Sequence, residues 1–229
     1  MANRSYLYSL SNRPSSYADR PQTISGLSEW AYDVPFSYRI LMSGDPQLCA
    51  SLISDGFNDD SPNLKSKLYA INSDFELGFE HLKKFFAILQ PLISNTAPHL
   101  AAGLAETVAF LEAHRDRYLL LETVELDTMQ YGTEAELKAC VEKEIKTCLA
   151  VGDAIDALLA NPVLAGKRLQ DATLHKSGSP FDPFYGLRLD DDYDNLRDSK
   201  TECPLGLEWS DVLYFDLWNL AEFEANADK

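Results

Sequence analysis

Apolar residues recur along the chain with two different periods, and each period predicts one kind of element. Spacings of three or four residues place side chains on one face of a helix, whereas strict alternation places them on one face of a strand. The helical spacing predicts four helices, near residues 74–93, 98–116, 133–159 and 163–175. Pro98 and Pro162 each fit the first position of a helix.

Three residue pairs have the spacing of a capping box, in which an N-terminal side chain and a later Glu bond each other's backbone amides. These pairs are Ser73 with Glu76, Thr133 with Glu136, and Asn219 with Glu222. The first two coincide with predicted helices. The third predicts a short helix at the C-terminus.

Alternation and β-branched or aromatic content predict the strands. Residues 5–11 form a short predicted strand, and residues 30–42 alternate so regularly that they predict another, with an edge or break at Pro35. Residues 118–129 and 212–218 are also predicted strands. Residues 12–26, rich in Ser and Pro, indicate a long surface loop.

These elements together predict an α+β fold. Strands from the N-terminal, middle and C-terminal parts of the chain would form a mostly antiparallel sheet that packs against a layer of helices. Apolar residues make up 45% of the chain, which is enough to build a core. The simplest arrangement is one domain over residues 1–229.

Four stretches of the sequence resemble a bacterial protein family without an assigned activity. They are MANRSYLYSL at the N-terminus, VPFSYRILMSGDPQLCASLI from residue 34, HRDRYLLLETVELDT from residue 114, and GLRLDDDYDN with PLGLEWSDVLYFDLWN from residue 186 onward. The resemblance extends over most of the chain. It implies a bacterial source and a single cytoplasmic unit, and it brings no catalytic residues.

The charge of the chain is strongly negative. Thirty-six acidic residues against 20 Lys and Arg give a formal net charge of −16, and residues 190–229 hold twelve acids against three bases. Such a surface repels nucleic acid and anionic lipid and attracts basic partners. The charge therefore argues against nucleic-acid binding and favours a basic protein partner.

Location follows from what the sequence lacks. No apolar run is long enough to span a bilayer, and the first residues lack the continuous apolar stretch of a signal peptide. The four cysteines include no CxxC pair. We therefore expect a cytoplasmic protein with reduced thiols and no membrane association.

The densest acidic cluster is residues 190–194. Asp190, Asp192 and Asp194 alternate as the oxygen ligands of a calcium loop do, which makes Ca²⁺ or Mg²⁺ binding a hypothesis. Asn195 stands where such a loop has Gly, and Glu202 comes one position late. An ordinary solvated acidic loop explains the same pattern.

A second cluster is aromatic. Phe181, Phe184 and Tyr185 lie in a proline-rich segment, where large rings require either a groove in the fold or a partner. Aromatic rings beside acids suit an interface that receives Arg or Lys. The predicted partner surface therefore combines these rings with four acids, Asp190, Asp191, Asp192 and Asp194.

Signals for an enzyme are weak. Glu122, Glu125 and Asp127 fall within the predicted strand 118–129, and Glu125 and Asp127 would share a face, where paired carboxylates serve as acid and base. The four histidines have no zinc-ligand spacing, and neither a glycine-rich phosphate loop nor a GxSxG motif is present. The sequence thus favours a binding protein over an enzyme.

The predicted function is a cytoplasmic acidic module that engages a basic protein, in an immunity-type or regulatory role. Two alternatives stay open. One is a carboxylate-dependent hydrolase, assisted by a divalent metal at Asp190, Asp192 and Asp194. The other is a structural subunit of a homo-oligomer, which a large apolar interface would reveal.

Overall fold

The protein's structure, a computed structural model, describes residues 3–58, 65–198 and 200–227. Its centre is a five-stranded sheet in which every neighbouring pair is antiparallel. The strands are β1 (Arg4–Leu10), β2 (Ile24–Ala31), β3 (Gln47–Ala50), β6 (Tyr69–Asp74) and β7 (Tyr118–Glu122). Their spatial order is β2-β1-β7-β6-β3, and β4 (Phe57–Asn58) pairs with β5 (Lys65–Ser66) in a separate hairpin.

The helices lie between and after these strands. They are α1 (Phe36–Met42), α2 (Phe75–Ile93), α3 (Pro98–Ala113), α4 (Val124–Asp127), α5 (Glu134–Asp156), α6 (Pro162–Leu174) and α7 (Leu220–Ala227), with a 3₁₀ turn at Asp182–Phe184. The four predicted helices correspond to α2, α3, α5 and α6. The α+β fold is confirmed, and no helix among the described residues is both long and apolar enough to span a bilayer.

Both faces of the sheet are buried, and different parts of the chain cover them. On one face, Leu7, Leu119 and Leu121 join a large cluster with the apolar sides of the helices. On the other, Tyr6, Tyr8 and Leu120 pack beneath Leu217 from the C-terminal segment. Alternate residues of one strand therefore pack into two hydrophobic clusters, one on each face of the sheet.

The predicted strand at residues 212–218 is wrong. This segment has no regular secondary structure, although Leu217 is buried and the Tyr8 hydroxyl donates to the Phe215 carbonyl at 2.7 Å. Its apolar side chains cover the second face of the sheet without joining the ladder. The apolar pattern reports burial, which the segment has, rather than strand pairing.

The predicted strand at residues 30–42 is also wrong in its second half. Strand β2 ends at Ala31, and α1 begins after Pro35, with the Phe36 and Ser37 amides donating to the carbonyls of Pro204 and Leu205. Nearly every residue of α1 is buried. A helix surrounded by protein has no polar face, so its sequence lacks the helical period.

The predicted strand at 118–129 is correct only as far as Glu122. After Thr123 the backbone makes the single helical turn α4, and the Asp127 amide donates to the Thr123 carbonyl at 2.9 Å. Glu125 and Asp127 therefore leave the sheet. They do not share a strand face.

Two of the three predicted capping boxes are confirmed. Thr133 with Glu136 starts α5, and Asn219 with Glu222 starts α7 through reciprocal bonds of 2.9 and 3.1 Å. The third is wrong by one residue, because Asp74 caps α2 and accepts from the Leu77 amide. Ser73 instead accepts a hydrogen bond from the Asp45 amide.

Candidate functional site

The carboxylates of the acidic loop at residues 190–194 bind side chains and backbone amides of the same chain. Two arginines neutralise part of it, because Arg188 bonds Asp190 at 2.9 Å and Asp192 at 3.2 Å, and Arg197 bonds Asp192 at 2.9 Å. Asp192 consequently has a lowered pKa, chiefly through its hydrogen bond from Arg197. These carboxylates already have cationic partners within the chain.

The other two acids of this loop bind backbone amides. Asp191 accepts from His99 and Leu100 at the start of α3, which places a negative charge at a helix N-terminus. Asp194 accepts from Gly206 and Leu207 at 2.6 and 3.0 Å. The loop thereby fastens two distant segments of the chain.

Divalent-ion binding at Asp190, Asp192 and Asp194 gains no support from this arrangement. Across residues 3–58, 65–198 and 200–227, no group of three His, Cys, Asp or Glu side chains is placed to hold a metal ion. Arginines already pair with Asp190 and Asp192, while Asp194 accepts from backbone amides instead. The Ca²⁺ or Mg²⁺ hypothesis stays a prediction.

The predicted aromatic surface is divided between core and surface. Phe184 is fully buried and lies 6.0 Å from the Phe85 ring, so it cannot receive a partner. Phe181 and Tyr185 are half-buried, and Arg168 and Lys176 lie over their rings at 5.1 and 5.2 Å. Cations of this chain therefore take the places expected for those of a partner.

The three carboxylates of the enzyme hypothesis do not converge. Glu122 is fully buried and accepts from the Ser51 hydroxyl at 2.8 Å and the Leu52 amide at 2.6 Å. Burial raises its pKa to about 7, although these hydrogen bonds oppose the shift. Glu125 accepts from the Arg4 amide at 2.9 Å, whereas Asp127 lines a cleft whose walls include neither Glu122 nor Glu125.

That cleft, which we call the acidic cleft, has a volume of about 520 Å³. It lies between α4, the first half of α5 and the connection from β2 to α1. Its walls carry four carboxylates against two basic side chains. They are Asp33, Asp127, Glu136 and Glu144 against Arg39 and Lys143.

Two of these carboxylates are held in a partly dehydrated environment. Burial raises the pKa of Asp127 to about 6, while a hydrogen bond from the Thr123 hydroxyl at 2.7 Å opposes the shift. Burial also raises the pKa of Asp33, against the effect of nearby Arg39. Both groups have lost more water than the surrounding donors replace.

Arg39 fixes the base of the acidic cleft. Its Nε donates to Glu144 at 2.6 Å, and its Nη2 lies 3.6 Å from Asp33, so α1 is tied to α5. Burial would lower the pKa of the guanidinium, but Glu144 and Asp33 raise it and keep it charged. Arg39 offsets part of the negative charge of the cleft and leaves Asp127 without an ion pair among the described residues.

Tyr32 stands at the rim in an unusual conformation. Its φ of 66° lies in the left-handed region, and its side chain is 65% exposed. This backbone conformation costs an ordinary residue about 1–2 kcal/mol. Strained residues of this kind cluster at functional sites, where the surrounding fold imposes them.

Sequence reasoning missed Tyr32, Asp33, Arg39 and Glu144. The available signal was Arg39, a single cation within the apolar run 34–42. A cation in a buried segment requires a carboxylate partner, which predicts an ion pair near this position. The identity of that partner, more than a hundred residues later, could not be read from local pattern.

Comparisons with known proteins place the chain without assigning it an activity. Residues 11–165 match a family described as a domain of unknown function, DUF7822. No curated protein and no solved structure matches the chain. The match covers more than half of the sequence and includes all the residues that line the acidic cleft. The chain therefore belongs to the DUF7822 family of domains of unknown function.

Proposed function

We propose that this protein binds a basic protein partner and that the acidic cleft receives an Arg or Lys side chain of that partner. The observation that carries this proposal is Asp127, a carboxylate at the wall of an open cleft that forms no ion pair among the described residues and whose pKa is raised by burial. A carboxylate that has lost water without gaining a cation binds one favourably. The bacterial source and the cytoplasmic location remain predictions that agree with this role.

The rim of the cleft suits a cation as well. Tyr32 and Tyr131 line it, and both are substantially exposed. A guanidinium binds carboxylates through paired hydrogen bonds and stacks on aromatic rings. Arginine therefore fits this combination better than lysine, whose ammonium group offers neither planarity nor a fixed fork.

The proposal moves the partner site away from the acidic loop at residues 190–194. The carboxylates there bond Arg188, Arg197 and backbone amides of the same chain. They still contribute to the net charge of −16, which speeds the approach of a basic protein. The loop would attract the partner, and the cleft would hold it.

The hydrolase alternative receives less support. Glu122 and Glu125 lie outside the cleft, and none of the described residues that line it is a histidine. Asp127 and Asp33 are the carboxylates that such an enzyme would have to use. The homo-oligomer alternative stays a prediction.

A labelled oligo-arginine peptide tests the proposal by fluorescence anisotropy at low ionic strength. We expect Asp127→Asn to weaken binding about tenfold, because a hydrogen-bonded charge pair is lost. Asp153→Asn is the matched control, since Asp153 is exposed on α5 and outside the cleft. It should leave the affinity nearly unchanged.

Three further results would contradict the proposal. Equal losses in the Asp127 and Asp153 variants would mean that net charge alone attracts the peptide. A larger loss in Asp190→Asn would return the partner site to the acidic loop. Oligo-lysine binding more tightly than oligo-arginine would remove the role of paired hydrogen bonds.

A further inference from the structure

A second cleft adjoins the first and has the opposite charge. It has a volume of about 450 Å³ and lies between the middle of α5 and the segment that runs from Lys176 to Tyr185. Four basic side chains and one acid line it, namely Arg39, Lys143, Lys146, Lys176 and Asp182. In a chain with 36 acids against 20 bases, this concentration of cations is unexpected, and we call it the basic cleft.

None of the three lysines forms a direct ion pair with a described carboxylate, although Lys176 lies near enough to Asp182 to act on its charge. Lys143, Lys146 and Lys176 are exposed, and none forms an ion pair with any residue that the structure describes. Lysines elsewhere in the fold do form such pairs, as Lys84 does with Asp156 at 2.8 Å. Like charges gathered within a Debye length repel one another, so an anion in this cleft would relieve that repulsion.

Arg39 contributes a further donor at the inner wall. Its Nε and Nη2 face Glu144 and Asp33, while Nη1 points to the Cys203 sulfur at 3.9 Å. Burial raises the pKa of the Cys203 thiol to about 11, so it is neutral and a poor acceptor. Nη1 is therefore available to an anion in a way that the other guanidinium nitrogens are not.

The one acid of the basic cleft offsets only part of this positive charge, through its interaction with Lys176. Asp182 accepts hydrogen bonds from the amides of Ser177 and Gly178 at 3.0 Å and from Ser179 at 3.3 Å. These bonds lower its pKa, as does the nearby charge of Lys176, and both oxygens accept from the preceding loop. The hydroxyl groups of Thr147 and Tyr185 complete the polar wall.

We propose that the basic cleft binds the phosphoryl group of a small phosphorylated molecule. Four basic side chains line it, which suits a group of two negative charges better than a single carboxylate. Its volume lies within the roughly 300–1,000 Å³ of small-molecule sites. The proposal goes beyond partner binding, because it concerns a different cleft and the opposite ligand charge.

Inorganic phosphate and pyrophosphate are the probes, measured by isothermal titration calorimetry and by ³¹P NMR line broadening on the full chain. We expect pyrophosphate to bind more tightly than phosphate. The double variant Lys146→Gln with Lys176→Gln should weaken pyrophosphate binding about tenfold, because two surface cations contribute modestly but together. Both lysines are exposed, so the variant should fold normally, which circular dichroism checks.

The control variant, Lys138→Gln with Lys167→Gln, makes the same change in net charge outside the basic cleft. It should retain nearly all of the pyrophosphate affinity. Absence of binding at millimolar pyrophosphate, or equal losses in the two double variants, would overturn the proposal. Asp127→Asn should leave pyrophosphate binding intact, so failure of this site and failure of the acidic cleft are distinguishable.

Discussion

At the scale of single residues, Tyr32 holds an unfavourable left-handed backbone conformation at the rim of the acidic cleft. Strand β2 must end and α1 must begin within four residues, and the chain reverses through a left-handed tyrosine. The Tyr32 amide still donates to the Asn3 carbonyl at 2.8 Å, so the conformation is held from outside. The residue type, which is poorly suited to this backbone, indicates that its ring is needed at the rim of the acidic cleft.

Comparing two substitutions at Tyr32 separates backbone strain from the role of the ring. Both Tyr32→Gly and Tyr32→Ala remove the ring, but only glycine adopts the left-handed conformation freely. We expect the free energy of unfolding of the glycine variant to exceed that of the alanine variant by about 1 kcal/mol in urea denaturation. Both should lose oligo-arginine affinity to the same extent. An alanine variant as stable as the glycine variant would show that no strain exists here.

At the scale of elements, the sequence predicts those helices that have a solvent face. Helices α2 and α5 carry apolar stripes and polar residues on alternate sides, so the period identifies them directly. Helix α1 is buried apart from Arg39, and its alternating residues predict a strand. The segment 212–218 lies against the sheet without pairing, which also produces an apolar run. The periodicity of apolar residues therefore identifies helices and strands that have one face in water. It fails for those enclosed by other elements.

The packing of α1 on α2 depends on one glycine. A Cβ added at Gly78 would lie 1.8 Å from the Leu41 carbonyl oxygen, so the two backbones are in direct contact. We expect Gly78→Ala to destabilise the protein by about 2 kcal/mol, since overpacking outweighs the better helix propensity of alanine. Urea denaturation followed by circular dichroism measures this.

Gly132→Ala is the control for that prediction, because nothing lies within 4 Å of a Cβ at Gly132. Its effect should be small. A Gly78 variant as stable as the wild type would mean that α1 shifts away from α2 at little cost. Since α1 carries Arg39, such a shift should also change the affinity of the acidic cleft.

At the scale of the whole molecule, net charge predicts the class of partner but not the site. The twelve acids of residues 190–229 predict that a basic protein partner binds near Asp190. Their partners, such as Gly206 for Asp194 and His99 for Asp191, are distant in sequence and become visible only in the fold. The acidic cleft is likewise assembled from α1, α4 and α5, and its acids are scattered along the sequence. Net charge is a sum over all charged residues, whereas a binding site for a cation depends on which acids have no cationic partner within the chain.

The stability of the fold also depends on pH, and the buried Glu122 contributes to this dependence. Its pKa is raised from an ordinary 4.5 to about 7 by burial in the folded chain. Between these two values the folded state retains a proton that the unfolded state releases. Stability from this group is therefore complete below pH 4.5 and is lost as the pH rises toward 7, a change of about 3 kcal/mol. Asp127 acts in the same direction over a lower range.

Substituting Glu122→Gln isolates this effect. Glutamine preserves the geometry, because its oxygen accepts from the Leu52 amide and its amide group donates to the Ser51 hydroxyl. We expect the wild type to lose stability between pH 4.5 and pH 7 and the variant to lose much less, in urea titrations at each pH. Glu224→Gln, at an exposed position on α7, should retain the wild-type slope. An unchanged slope in the Glu122 variant would show that the carboxylate is already ionised in the folded chain, and that Arg20, which favours its charged form, compensates for burial.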